Sequence, residues 1–198
     1  MRDREPPPPA ITPPEEPESG GGEEESPEEP LTEEEEEEPF LPAERVMLVN
    51  SATGRCADIP ADRGQENAAI LPNVCDTGRT QQRWDLDVRF PGHGPGGASL
   101  FVIVHSNSGL CMDPPAFGAV QAGTKISQYR CIPKLDDNQL WWLEPREGED
   151  HVYRIRNYAS NHLCLSPDPQ DTQQDDLKLT VQQCNNEFQW WEIRSAES

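Results

Sequence analysis

The sequence has few cationic side chains and no long hydrophobic run. Lysine and arginine together number 16 of 198 residues, against 37 aspartates and glutamates, so the net charge is −21. Nucleic acids and anionic membranes are bound through clustered lysine and arginine, and this balance therefore speaks against both partners. No stretch approaches the roughly 18 apolar residues of a transmembrane helix. The N-terminal Met-Arg-Asp-Arg-Glu-Pro also lacks the apolar core of a secretory signal.

The common catalytic and metal-binding patterns are also missing. No two cysteines have the short spacing of zinc ligands, and the four histidines are scattered, without an i, i+4 pair. The glycine-rich run at 92–97 lacks the lysine and hydroxyl residue of a phosphate loop. We find no nucleophile with a base and an orienting partner, and no pair of acids placed for glycoside hydrolysis. The sequence therefore predicts no enzyme, no metal and no cofactor.

The acidic charge is concentrated in the first 45 residues. They hold 17 of the 37 acidic side chains and 11 of the 21 prolines, including the block Glu33–Glu38. Such a segment has little apolar surface to offset the entropy lost on ordering, and its charges repel each other. We predict that residues 1–45 are a disordered acidic Pro/Glu-rich tail that acts as a spacer. The alternative is a docking segment for a basic partner or divalent cations, which nothing in the residue spacing favours.

Residues 46–194 consist of three copies of one unit, at about 46–88, 100–144 and 152–194. Each copy has an apolar strand-like opening, a first cysteine, a second cysteine 19 or 20 residues later, and a closing Gln-x-Trp triplet. The segments between these residues are short, are bounded by Gly, Pro, Asn and Asp, and show no helical periodicity. Several alternate in the manner of strands. The pattern predicts an all-β domain with roughly four strands in each copy.

All six cysteines lie in the repeated part of the sequence. Their even number points to an oxidising compartment, so we expect a secreted or extracytoplasmic protein although no signal peptide is visible. Either a longer precursor or another export route would reconcile the two observations. Pairing within each copy preserves the three-fold repetition, and we therefore predict three bridges: Cys56–Cys75, Cys111–Cys131 and Cys164–Cys184.

The repeated Gly-x-Cys-x-Asp and Gln-x-Trp patterns resemble those of the ricin-B-type lectin family. The triplets that begin at Gln82, Gln139 and Gln189 are the strongest part of the resemblance. The resemblance implies a β-trefoil, in which twelve strands form six hairpins that build a barrel and its cap. It also implies that Trp84, Trp141 and Trp191 lie in a shared core, and that the domain binds carbohydrate without catalysis. We expect a monomer.

A sugar presents hydroxyl groups at its edge and C–H groups on one face, so its site needs a carboxylate, an amide and an aromatic ring. By the resemblance, these are an Asp two residues after the first cysteine, an aromatic two residues before the second, and an Asn before Gln-x-Trp. The Gln of the triplet assists. The second copy has all four: Asp113, Tyr129, Asn138 and Gln139. The sequence therefore predicts the main sugar site there.

The other two copies are incomplete. The first keeps Asp58 but has Asn73 and Gln81 at the aromatic and amide positions, so Asp58 is a further candidate. The third keeps only the Gln of the triplet, and it has Ser166, Gln182 and Phe188 at the other three positions. Two alternatives stay open. The aspartates can serve turns of the scaffold, and a β-trefoil can bind a protein instead of a sugar.

Overall fold

The computed structural model describes residues 41, 43–60, 65–160, 162–168 and 177–195. Most of the predicted acidic tail lies outside the described residues. The first strand already begins at Ala43, so the last three residues that the sequence assigned to the tail belong to the sheet.

The described residues form an all-β domain with three short 3₁₀ turns. Its twelve strands are β1 Ala43–Asn50, β2 Arg55–Asp58, β3 Leu71–Val74, β4 Trp84–Phe90, β5 Leu100–His105, β6 Cys111–Asp113, β7 Ser127–Tyr129, β8 Trp141–Pro145, β9 Val152–Asn157, β10 Cys164–Pro167, β11 Leu179–Gln182 and β12 Trp190–Ser195. Each sequence copy supplies four consecutive strands. Within the described part of the chain, no helix has the length and apolar character needed to cross a membrane.

Six of the strands close into an antiparallel barrel. Inside each copy the first strand pairs with the fourth, which gives β1–β4, β5–β8 and β9–β12. Between copies the fourth strand pairs with the next first strand, as β4–β5, β8–β9 and β12–β1. The last of these pairs joins the two ends of the repeated region and closes the ring. Closure leaves the barrel with no unpaired sheet edge.

The remaining strands form the hairpins β2–β3, β6–β7 and β10–β11, which cap the barrel. Three backbone hydrogen bonds link the hairpins in a cycle. Ile70 N donates to Ile126 O at 3.2 Å, Ile126 N to Leu179 O at 2.8 Å, and Leu179 N to Ile70 O at 2.9 Å. The three side chains are fully buried. The sequence repeat is therefore a three-fold arrangement in space, and the predicted β-trefoil is confirmed.

The three tryptophans of the Gln-x-Trp triplets lie together in the core, as the resemblance implied. A buried indole N–H without a partner would cost free energy, and each of the three has one. Each Nε1 donates to the carbonyl oxygen of the residue that follows the first cysteine of its copy. The pairs are Trp84 with Ala57 at 3.0 Å, Trp141 with Met112 at 3.4 Å and Trp191 with Leu165 at 2.9 Å. The triplet therefore ties the barrel to its cap hairpin.

The six cysteines form three disulfides within copies, Cys56–Cys75, Cys111–Cys131 and Cys164–Cys184, with Cα–Cα distances of 5.0–5.2 Å. In each copy the first cysteine lies in the first strand of the cap hairpin, and the second follows the other strand by one or two residues. Each bridge therefore fastens the open end of a cap hairpin. Closing a loop of this length is worth about 3 kcal/mol of unfolding free energy in the chain-entropy model.

The glutamine of each triplet holds the chain next to the second cysteine. In the second copy, Gln139 Oε1 accepts from the backbone N of Ile132 at 2.8 Å, and Gln139 Nε2 donates to Arg130 O at 2.8 Å. Gln82 and Gln189 bond the corresponding backbone groups in their own copies. The triplet is thus a repeated structural device, and any role in binding is additional to it.

Candidate functional site

Three of the four residues predicted in the second copy line one pocket. Asp113 is the last residue of β6, Tyr129 is the last residue of β7, and Gln139 lies two residues before β8. The pocket has a volume of about 350 Å³. The complete lining is Asn67, Asp113, Ala116, Phe117, Tyr129, Ile132, Asp137 and Gln139. The cap hairpin and the loop before β8 therefore meet to form a concave site in this copy.

Asp113 is buried in the wall of this pocket, with 7 % of its surface exposed. Burial penalises the charged form and raises the pKa of its carboxyl group to about 6. A hydrogen bond from the Gln139 side chain opposes this shift, and the nearby charge of Asp137 adds to it. At neutral pH the carboxylate is ionised and poorly hydrated, which makes it a strong acceptor for hydroxyl groups.

Asn138, the fourth predicted residue, is fully buried and is not among the residues that line the pocket. Its Nδ2 donates to Ala116 O at 3.0 Å, which holds the loop that follows β6. Its own carbonyl oxygen accepts from Asn157 Nδ2 in the third copy. Its Oδ1 has no hydrogen-bond partner among the described residues. Asn138 therefore supports the pocket from beneath in this structure.

The structure adds pocket residues that the sequence analysis missed. Asp137 is buried beside Asp113, and burial raises the pKa of its carboxyl group, opposed by a hydrogen bond from the backbone N of Asn138. The neighbouring pair Asp136-Asp137 was a visible signal for it. Phe117 and Ile132 are 63 % and 54 % exposed, and an aromatic residue next to glycine in a loop could have drawn attention to Phe117. Asn67 comes from the first copy, and no sequence pattern connects it to this site.

In the first copy, side chains of the protein itself surround Asp58. The residue is 0 % exposed, and its Oδ2 accepts from Asn73 Nδ2 at 2.9 Å and from Gln82 Nε2 at 3.2 Å. Arg79 Nη2 forms an ion pair with the same oxygen at 3.0 Å. Asn73 stands where the second copy has Tyr129. One oxygen of the Asp58 carboxylate is therefore already hydrogen-bonded and paired with a guanidinium group within its copy, and the other, Oδ1, is buried.

The third copy offers no carboxylate at the equivalent position. Ser166 is buried, and its hydroxyl donates to Pro167 O at 3.0 Å. Gln182 Nε2 donates to Thr180 Oγ1 at 3.1 Å, and Phe188 is 48 % exposed. Over the part of the chain that the structure describes, no group of three or more His, Cys, Asp or Glu side chains is placed to hold a metal ion.

The barrel, its cap and the cap-hairpin pocket define a β-trefoil of the lectin type. Residues 44–191 match the family of the ricin-type beta-trefoil lectin domain. Because this match covers most of the sequence, the chain belongs to that family. No curated protein sequence resembles the chain closely enough to count as a match.

Solved structures show the same fold at low sequence identity. The designed three-fold symmetric protein ThreeFoil superposes with a TM-score of 0.61 at 18 % identity, covering 75 % of this chain and 96 % of that protein. The lectin of Macrolepiota procera, solved in complex with lactose, has a TM-score of 0.54 at 16 % identity, covering 75 % and 93 %. An exo-β-1,3-galactanase from Clostridium thermocellum reaches 0.60 at 20 % identity, covering 77 % of this chain. The chain spans only 30 % of that enzyme's length.

Proposed function

We propose that this protein binds carbohydrate at one main site, the pocket of the second copy, and does not catalyse a reaction. Family membership supports carbohydrate binding in general. The observation that carries the choice of site is the contrast between the two buried aspartates. Asp113 lies in the wall of a pocket beside an aromatic ring, whereas Asp58 is engaged by Arg79, Asn73 and Gln82.

In the proposed complex, Asp113 accepts hydrogen bonds from two adjacent hydroxyl groups of the sugar. The Tyr129 ring packs against the C–H face, and Gln139 keeps the Asp113 carboxylate in position. So few contacts in a shallow site give weak binding of one monosaccharide, at about the millimolar level, or roughly −4 kcal/mol.

We also propose that the protein acts outside the cytoplasm as a monomer. All six cysteines are in disulfides, which persist in oxidising compartments. Each of the three cap hairpins depends on one of these bridges. The fold would therefore lose much of its stability in a reducing cytosol.

The test is a glycan array on the purified protein, followed by titration of single variants with a sugar that the array identifies. Asp113→Ala should weaken binding by roughly 10- to 100-fold, because a charge-assisted hydrogen bond is worth about 1.5–3 kcal/mol. Because the parent is expected to bind only at the millimolar level, this loss should abolish measurable binding. Tyr129→Ala should have the same result, because it removes the ring under the sugar. Circular dichroism checks that each variant folds.

The matched controls come from the other copies. Asp58→Ala and Ser166→Ala change the equivalent positions and should leave the dissociation constant within about twofold of the parent, an energy difference of less than about 0.5 kcal/mol. Loss of binding in Asp58→Ala but not in Asp113→Ala would move the site to the first copy. If every variant binds the sugar like the parent, the proposed site is wrong. If the array identifies no sugar, the protein-interaction alternative replaces carbohydrate binding. Incubation of the parent with a bound glycoside should release no free sugar.

A further inference from the structure

The residues that line the pocket of the second copy are of two chemical kinds. Asp113, Asp137 and Gln139 are polar, whereas Ala116, Phe117 and Ile132 are apolar. Most large apolar side chains of this domain are buried in the core, yet Phe117 and Ile132 are more than half exposed. Leu135, in the same loop as Ile132, is exposed as well. Exposed apolar side chains that gather at a pocket mark a binding surface more often than isolated ones do.

The loop that carries Phe117 is held in place. Ala116 has a φ of +79°, a left-handed conformation that costs a residue with a Cβ roughly 1–2 kcal/mol. Asn138 Nδ2 fixes the Ala116 carbonyl at 3.0 Å, and Ser160 Oγ accepts from Val120 N at 3.2 Å. Backbone strain of this kind persists only where the surroundings enforce it, and here it accompanies an exposed aromatic ring.

Asn138 and Gln139 hold polar as well as apolar residues of the pocket lining. Gln139 bonds the Asp113 side chain and also fixes Ile132 through its backbone N at 2.8 Å. Asn138 supports the Ala116–Phe117 loop, while its backbone N donates to Asp137 Oδ1 at 2.8 Å. The same amides therefore hold polar and apolar lining residues in place, which favours a ligand that contacts both kinds at once.

A simple monosaccharide uses only part of this lining. Its C–H face needs one aromatic ring, which Tyr129 supplies, and the rest of its surface is hydroxyl groups that gain nothing from Phe117 or Ile132. A protein partner would require an interface of about 1,000 Å² or more, far larger than this group of side chains provides. An aryl or alkyl glycoside combines the two kinds of surface in one molecule, because it carries an apolar group on the anomeric oxygen of the sugar. Such a glycoside can contact the polar and the apolar lining residues at once.

We propose, on the basis of the proposed sugar site, that Phe117 and Ile132 form a subsite for the apolar aglycone of a glycoside. In this assignment, Asp113 and Gln139 hold the sugar while an aryl or alkyl group lies against the exposed Phe117 ring. The protein would then select glycoconjugates with an apolar group next to the sugar over free sugars of the same kind.

The experiment compares methyl and phenyl β-galactosides, and the corresponding glucosides, by calorimetric titration of the full chain. Galactose and glucose are the two sugars of lactose, which is the ligand in the Macrolepiota procera structure. The phenyl glycoside should bind roughly tenfold more tightly than the methyl glycoside, since it buries additional apolar area. Phe117→Ala and Ile132→Ser should each bring that ratio towards one. Phe188→Ala removes a comparably exposed ring in the third copy and should leave the ratio as in the parent.

The outcomes separate this inference from the function on which it rests. If Asp113→Ala weakens both glycosides while the parent shows no phenyl preference, the sugar site stands and the aglycone subsite is wrong. A phenyl preference that survives in Phe117→Ala and Ile132→Ser also overturns the subsite. If the parent binds none of the four glycosides, the subsite is overturned, whereas the sugar site fails only if the glycan array is negative as well. A phenyl preference that disappears only in the two pocket variants supports the subsite.

Discussion

Asp58 and Asp113 occupy the same position in two copies of the repeat, and both are buried, but their surroundings give them different roles. Asp58 receives two side-chain hydrogen bonds and an ion pair with Arg79. Asp113 has the Gln139 amide as its hydrogen-bond donor and a second carboxylate, Asp137, nearby. The first arrangement stabilises the fold. The second buries a carboxylate whose charged form is destabilised by desolvation in the unliganded protein, and such groups are common in binding sites.

We predict that Asp113→Asn stabilises the protein in a pH-dependent way. The pKa of Asp113 is raised from 3.8 to about 6, so the folded state binds this proton more tightly than the unfolded state does. The unfolding free energy therefore falls as pH rises from about 4 to 6, and the penalty is complete above pH 6. Asp113→Asn should raise the melting temperature at pH 8, and its advantage should shrink towards pH 4.

Thermal melts at pH 8 and pH 4 measure this effect, and Asp58→Asn is the matched control. That variant removes the charge partner of Arg79 and should lower the melting temperature at pH 8. An Asp113→Asn variant that is less stable than the parent at pH 8 would contradict the prediction. A stability difference that stays constant with pH would contradict it as well.

At the scale of the elements, the three copies share one construction and differ in their loops. Each cap hairpin has a disulfide at its open end, a tryptophan N–H bonded to its first strand and a glutamine that fixes the chain beyond the second cysteine. In the second copy, the loop after β6 adds Ala116 and Phe117 to the pocket. The repeated elements therefore provide stability, and the loop provides the difference between the copies.

We predict that the Cys111–Cys131 bridge matters for both stability and binding, whereas Cys164–Cys184 matters for stability alone. Replacing either pair by serine should lower the unfolding free energy by about 3 kcal/mol, because the two loops have the same length. The Cys111–Cys131 bridge also fastens β6 to the end of β7, and these two strands carry Asp113 and Tyr129. Its removal should weaken sugar binding several-fold, and removal of the other should not.

Denaturant unfolding and glycoside titration of the two double variants check this difference, at a temperature where both remain folded. Equal loss of binding in the two variants would mean that the hairpin of the second copy does not hold the site. Unchanged binding in both would mean that β6 and β7 need no bridge to keep their geometry.

At the scale of the whole molecule, a three-fold scaffold carries an asymmetric function. The barrel and the hydrogen-bond cycle through Ile70, Ile126 and Leu179 treat the three copies alike. The side chains at the equivalent sites do not, because Arg79 engages Asp58 in the first copy and the third has Ser166. In the proposed function the second copy alone binds a ligand, so we expect the protein to be monovalent.

We predict a stoichiometry of one glycoside per chain. Native mass spectrometry at saturating glycoside should show a single bound ligand, and the protein should not agglutinate beads coated with the same sugar. Asp113→Ala should remove the bound species entirely. A second bound glycoside that persists in Asp113→Ala would show that another copy is competent.

The sequence specified the scaffold through relations that repeat along the chain. The spacing of Cys56 and Cys75 and of their counterparts predicted the three-fold all-β domain and its bridges. The family resemblance carried by the Gln-x-Trp triplets implied the trefoil and the core tryptophans. These positions can be recognised in the sequence because the three copies pack in the same way. The same residue types therefore recur at the same spacing in each copy. Asp113, Tyr129 and Gln139 were predicted from the resemblance to the ricin-B-type lectin family, and the structure brings them to one pocket.

Only the tertiary structure decided which aspartate faces a pocket and what else lines it. Three features do not repeat from copy to copy and therefore leave no pattern in the sequence. They are the ion pair of Arg79 with Asp58, the buried amide of Asn138, and the contribution of Asn67 from the first copy to the pocket. They depend on which loop side chains converge once the barrel has closed. The raised pKa of Asp113 has the same origin, because desolvation is a property of the folded surroundings and not of the residue or its neighbours in sequence.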